Sequence, residues 1–113
     1  MSARLPASVV ATALIRRAQE EGGFAAVLAR GDATAGSILV ILTEKGANPC
    51  FLERLLQPDG AYSWQEVGGR AAGNPEETEK FLARRRKIDP DMWLIELDIP
   101  SAERFAAEMN AVN

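Results

Sequence analysis

One stretch limits the fold more than any other: "SILVILTE", residues 37 to 44. Ile38, Leu39, Val40, Ile41 and Leu42 are all apolar, and most are β-branched. A strand sends successive side chains to opposite faces. This one therefore has no face fit for water, and it reads as a central strand covered on both sides.

A second stretch, "DPDMWLIELDI", residues 89 to 99, raises the choice between a site and a strand. In a strand Trp93, Ile95, Leu97 and Ile99 share one large apolar face. Met92, Leu94, Glu96 and Asp98 share the other. Burial of the first set is sufficient reason for the pattern, at roughly 25 cal/mol per Å² of apolar surface. Pro90 ends whatever helix precedes it, and Asp89 and Asp91 read as solvated loop acids.

The rest of the chain is punctuated clearly. Residues 6 to 21 read as a helix with Pro6 in its first turn and Val10, Ala13, Leu14 and Arg17 on one face. Gly22 and Gly23 stop it. Residues 24 to 30 read as a strand, 31 to 36 and 45 to 49 as turns, and 50 to 57 as a further strand. Pro58-Asp59-Gly60 turns the chain into 61 to 67, where Tyr62, Trp64 and Glu66 alternate with Ser63, Gln65 and Val67. Residues 68 to 73 are a glycine-rich connection. Residues 74 to 87 carry the strongest helix signal: Asn74 as N-cap, Pro75 at the first position, Glu77 placed for a capping box, and Glu76 four residues before Lys80. A last helix over 101 to 112 has Ala102, Phe105, Ala106, Met109 and Val112 as its stripe.

The order is α-β-β-β-β-α-β-α. It predicts one α+β domain over residues 1–113: an antiparallel sheet, made of a four-strand meander plus a fifth strand, packed with three helices. The fifth strand returns beside or inside the meander, and the pattern does not choose between these.

Composition narrows function mainly by exclusion. Histidine is absent, which removes the commonest general base and transition-metal ligand. The one cysteine, Cys50, can form neither an intramolecular disulfide nor a zinc site alone. No metal site and no cofactor motif is expected. A net charge of −3 argues against a dedicated nucleic-acid binder. No apolar run approaches the ~20 residues of a spanning helix. The N-terminal stretch meets Arg16 and Arg17 without a small-residue cleavage site. A cytoplasmic protein with no membrane partner is expected.

Several stretches invite a sharper reading. Tyr62 and Trp64 could stack on a ring or base while Arg70 reaches a phosphate; the plainer reading buries Trp64 in the core. Arg84 to Lys87 could attract an anion, but basic residues in a last helical turn also complement the helix dipole, and a helix spreads them around its axis. Glu96 and Asp98 are spaced for a carboxylate pair, about 7 Å apart. A carboxylate at Glu66, Glu96 or Asp98 would suit a hard metal such as Mg²⁺. Arg30-Gly31-Asp32 reads as a strand end turning, not as an adhesion signal.

Two stretches, "GGFAAVLARGDATAGSILVIL" and "DPDMWLIELD", resemble the signature segments of a small family of uncharacterised alphaproteobacterial proteins, a domain of unknown function. The resemblance runs from about Leu5 to Asp98. It implies a cytoplasmic bacterial protein of one domain, without an assigned activity. The leading expectation is a non-enzymatic protein that acts through protein–protein contact as a homodimer. The alternatives are a regulatory module binding an anionic small molecule or single-stranded nucleic acid, and a carboxylate-dependent Mg²⁺ enzyme.

Overall fold

The structure is a computed structural model that describes residues 5–109, apart from the side chain of Arg70. Three α-helices, α1 (Ala7–Glu20), α2 (Pro75–Ile88) and α3 (Ala102–Met109), surround five strands. The strands are β1 (Phe24–Ala29), β2 (Ile38–Glu44), β3 (Ala47–Leu56), β4 (Tyr62–Val67) and β5 (Trp93–Ile99). A short 3-10 helix, η1 (Gly69–Gly73), precedes α2.

The strand order is β1-β5-β2-β3-β4. The expected four-strand meander is therefore corrected to three strands, β2 to β4. β5 inserts between β1 and β2, antiparallel to the first and parallel to the second, so the sheet is mixed. The reason lies in side-chain polarity. β2, β3 and β5 bury large apolar residues on both sides, and only inner positions bury both sides. A parallel pair also needs a crossover, which the chain makes through β3, β4 and α2.

The loop from β1 to β2 bridges the start of β5. The Asp32 N–H donates to the Asp91 carbonyl, and the Trp93 N–H to the Ser37 carbonyl at 2.7 Å. The Trp93 indole Nε1 donates to the Asp32 carbonyl at 2.8 Å. Gly31 is required here, because a Cβ would collide with the Asp91 carbonyl and the Trp93 ring. Asp89, expected in solvent, is half-buried and accepts from the Ser37 hydroxyl at 2.7 Å. The β2–β3 turn is tighter than expected. Lys45 and Gly46 both take positive φ, and pairing resumes at Glu44 with Ala47, so β3 begins early.

Each face of the sheet has its own core. On the first face Ile38, Val40, Leu42, Leu52, Trp64 and the odd-numbered residues of β5 pack under α1 and α3. α1 buries Ala7, Val10, Ala11, Leu14 and Ala18. Its stripe is thus rotated from the expected one, and Arg17 instead reaches Glu108 on α3 at 2.5 Å. α3 buries Phe105 and Met109; Val112 lies outside the described residues. On the second face Leu39, Ile41, Phe51, Met92 and Leu94 pack against η1 and against Phe81 and Leu82 of α2.

Candidate interaction surfaces

A mixed sheet with two free edges poses a physical problem, since an edge strand offers unpaired N–H and C=O groups to any extended chain. The two edges here are β1 and β4, and they differ in character. β4 shows Gln65 and Glu66 to solvent and turns Trp64 into the core. β1, Phe-Ala-Ala-Val-Leu-Ala, carries no charged or polar side chain. Phe24 is 58% exposed, Val27 40% and Leu28 49%. The register slips between Val27 and Ala29, so Leu28 stands at a bulge.

The residues expected to hold a ligand fare unequally. Tyr62 and Trp64 do share one face, opposite Leu56 and Arg54 of β3. Trp64 is buried in the first-face core, in line with the plainer reading. Tyr62 is half-buried, with the Arg54 guanidinium 4.0 Å from its ring centroid. Arg70 falls in η1, and its side chain lies outside the described residues. Tyr62 and Arg54 line a cavity of about 240 Å³ with Leu5, Pro6 and residues 34 to 36.

Arg54 is the residue that the sequence pattern did not single out. It is buried, and burial lowers its pKa while Tyr62 acts in the opposite sense. A signal for it existed. Glu53 and Arg54 are adjacent charges inside a strand of leucines, and alternation must send them to opposite faces. Arg54 goes to the first face. Glu53 goes to the second, where Arg85 of α2 grips it at 2.9 and 2.5 Å.

The basic run Arg84 to Lys87 does not form one stripe. Arg85 turns inward to Glu53, whereas Arg84 borders a cleft of about 530 Å³ with Lys80, Glu77 and Phe81. Lys80 pairs with Glu77 at 3.8 Å, one position away from the Glu76 partner expected.

The carboxylates are dispersed. Asp98 accepts from the Thr43 hydroxyl and from the Gly46 N–H, which ties the β2–β3 turn to β5. Glu66 sits on β4 beside Leu52, on the opposite face from Glu96 and three strands away. Among the described residues no three Asp, Glu or Cys side chains are grouped to hold a metal ion. Burial and the nearby Glu66 both push the half-buried Cys50 thiol up. Asp32, in the Arg-Gly-Asp turn, accepts N–H bonds from Ala35 and Thr34, which lower its pKa. Among the described residues no helix is long and apolar enough to cross a membrane.

These features define a small α+β domain with one apolar edge and helices on both faces. Within that class the chain belongs to the DUF1491 family of proteins of unknown function, whose model matches residues 5–107. The chain is similar to a DUF1491 family protein from Caulobacter crescentus CB15. The crystal structure of that protein matches with a TM-score of 0.78 at 28% identity, over 90% of this chain and 94% of the other. An NMR structure of a DUF1491 family protein from the same organism gives 0.77 at 30% identity, over 92% and 94%. A protein from A. tumefaciens, solved in solution, gives 0.71 at 26% identity, over 91% and 92%. No curated protein matches the chain.

Proposed function

We propose that this protein is a non-enzymatic domain that works through protein–protein contact, as a homodimer joined at β1. The observation that carries the reading is the exposed apolar edge of Phe24, Val27 and Leu28. A second copy suits that edge for two reasons. Six uncharged residues put no repulsion at a two-fold axis. Glu20 and Glu21 precede β1 and Arg30 follows it, so an antiparallel copy brings opposite charges toward each other at both ends. The bulge at Leu28 confines regular pairing to Phe24–Val27. On this reading the protein is cytoplasmic, and an alphaproteobacterial origin fits the organisms of its relatives.

Light scattering coupled to size exclusion tests it. A mass of about twice 12.2 kDa is expected, reduced to one chain by Val27→Lys, because a lysine on an edge blocks strand pairing. A monomer at micromolar concentration sinks the homodimer.

One observation favours a second reading, a regulatory module for an anionic small molecule or single-stranded nucleic acid. The cavity beside Tyr62 has a buried guanidinium in its wall. Trp64 stands two residues from Tyr62 on the same strand face, so its fluorescence should respond to nucleotides or oligonucleotides, and less so as salt rises. No response across such a panel removes this reading.

A further inference from the structure

α2 covers the second face without one fully buried side chain of its own. Three contacts hold it down. Phe81 stacks on Phe51 with ring centroids 4.9 Å apart and planes 13° apart. Leu82 packs beside it. Arg85 makes its two-pronged bond to Glu53, which is only 8% exposed. Each end of this segment is of a different kind. Before it, Gly68 and Gly69 take φ of 80° and 50°, a succession that glycine tolerates far better than other residues. After it, Asp89 is held by Ser37, and Met92 is buried.

We infer that α2 is a hinged cover that undocks as a unit, between the glycine pair and the Asp89 anchor, before the sheet unfolds. The Glu53–Arg85 pair is its latch. Undocking breaks these three contacts and lifts Ala71 and Ala72 of η1 from the second-face core. It leaves the strand ladders and the first-face core intact. It returns both charges of the latch to water, which offsets much of the lost attraction. It uncovers Leu39, Phe51 and Leu94, so the cost in apolar exposure closes the cover again. Gly68 also fixes where the cover lands. A Cβ there would press on the Phe51 ring, the same ring that Phe81 must stack upon.

Native-state hydrogen exchange read by mass spectrometry tests the cover in the intact protein. Amides of α2 are expected to exchange at least about tenfold faster than those of β5, with weak dependence on added denaturant. Glu53→Gln keeps the side-chain shape and removes the charge. It should speed exchange across α2 by about tenfold or more and leave β5 unchanged. Arg85→Lys keeps the charge and removes the two-pronged geometry, so it should give a smaller rise in the same amides. The Lys variant serves if the Gln variant does not fold. Exchange of α2 and β5 at one common rate would overturn the inference. So would a rise in both variants that is the same in α2 and in β5.

Discussion

The two faces of this sheet are closed by different physics. The first is closed by shape: α1 and α3 lay Leu14, Val10, Phe105 and Met109 onto the alternating apolar residues of β2 and β5. The second has its own apolar core, but the helix over it is held by a few specific contacts: a ring on a ring, a guanidinium on a carboxylate, and Leu82 beside them. Apolar packing is non-directional and spread over many atoms, so it tolerates small displacements. An ion pair and a stack have narrow optima, and the loss of either is felt at once. One sheet thus joins a permanent layer to a detachable one.

The sharpest way to break the contrast is to remove apolar bulk from each face in turn. Leu97→Ala, at a fully buried first-face position, should cost about 3 kcal/mol in urea unfolding. Phe81→Ala removes a larger side chain from the second face, yet should cost only about 1.5 kcal/mol, because its ring is half-exposed and loses chiefly the stack. Equal losses would mean that α2 is as integral as α1. A smaller effect should come from Asn74→Ala. Asn74 Oδ1 accepts from the N–H groups of Glu76 and Glu77, and its loss should cost about 1 kcal/mol. That loss should appear as faster exchange in α2 alone.

The mildest probe is acid. The Arg17 guanidinium, above all, holds the Glu108 carboxyl below its ordinary 4.5. A carboxyl depressed in the folded state adds stability above its unfolded pKa, and that gain fades as pH falls through the folded value. Urea midpoints of the parent and Glu108→Gln should therefore differ near neutral pH and converge below pH 4.5. Curves that stay parallel into acid would show that the α1–α3 ion pair does not contribute.

How much of this could be read from the chain depends on how local each cause is. The doubly apolar run of β2 marked it as interior, the alternation from Trp93 to Ile99 marked β5 as a strand, and Asn74 with Pro75 marked the start of α2. Caps and alternation act within a few residues, so the pattern carries them. The insertion of β5 between β1 and β2 is a choice among distant partners, and either arrangement satisfies the same alternation. β1 reads as apolar whether it lies inside a sheet or at its rim, so the exposure of Phe24 was not legible. The candidate site divides in the same way. Tyr62 and Trp64 were correctly placed on one face, but only the tertiary fold shows that Trp64 is covered and that Arg54 stacks on Tyr62.

The place of β5 has a consequence for how the molecule is made. Residues 93 to 99 form the strand that joins β1 to the rest of the sheet. A ribosome delivers the chain from its N-terminus, so β1 waits without its neighbour while β2, β3, β4 and α2 emerge. The hairpins of β2 to β4 can form early, because their contacts are local. Until β5 leaves the exit tunnel, β1 has no neighbouring strand to pair with. The apolar rows of β2 and β1 stay open to chaperones, or to the wrong strand, for most of synthesis.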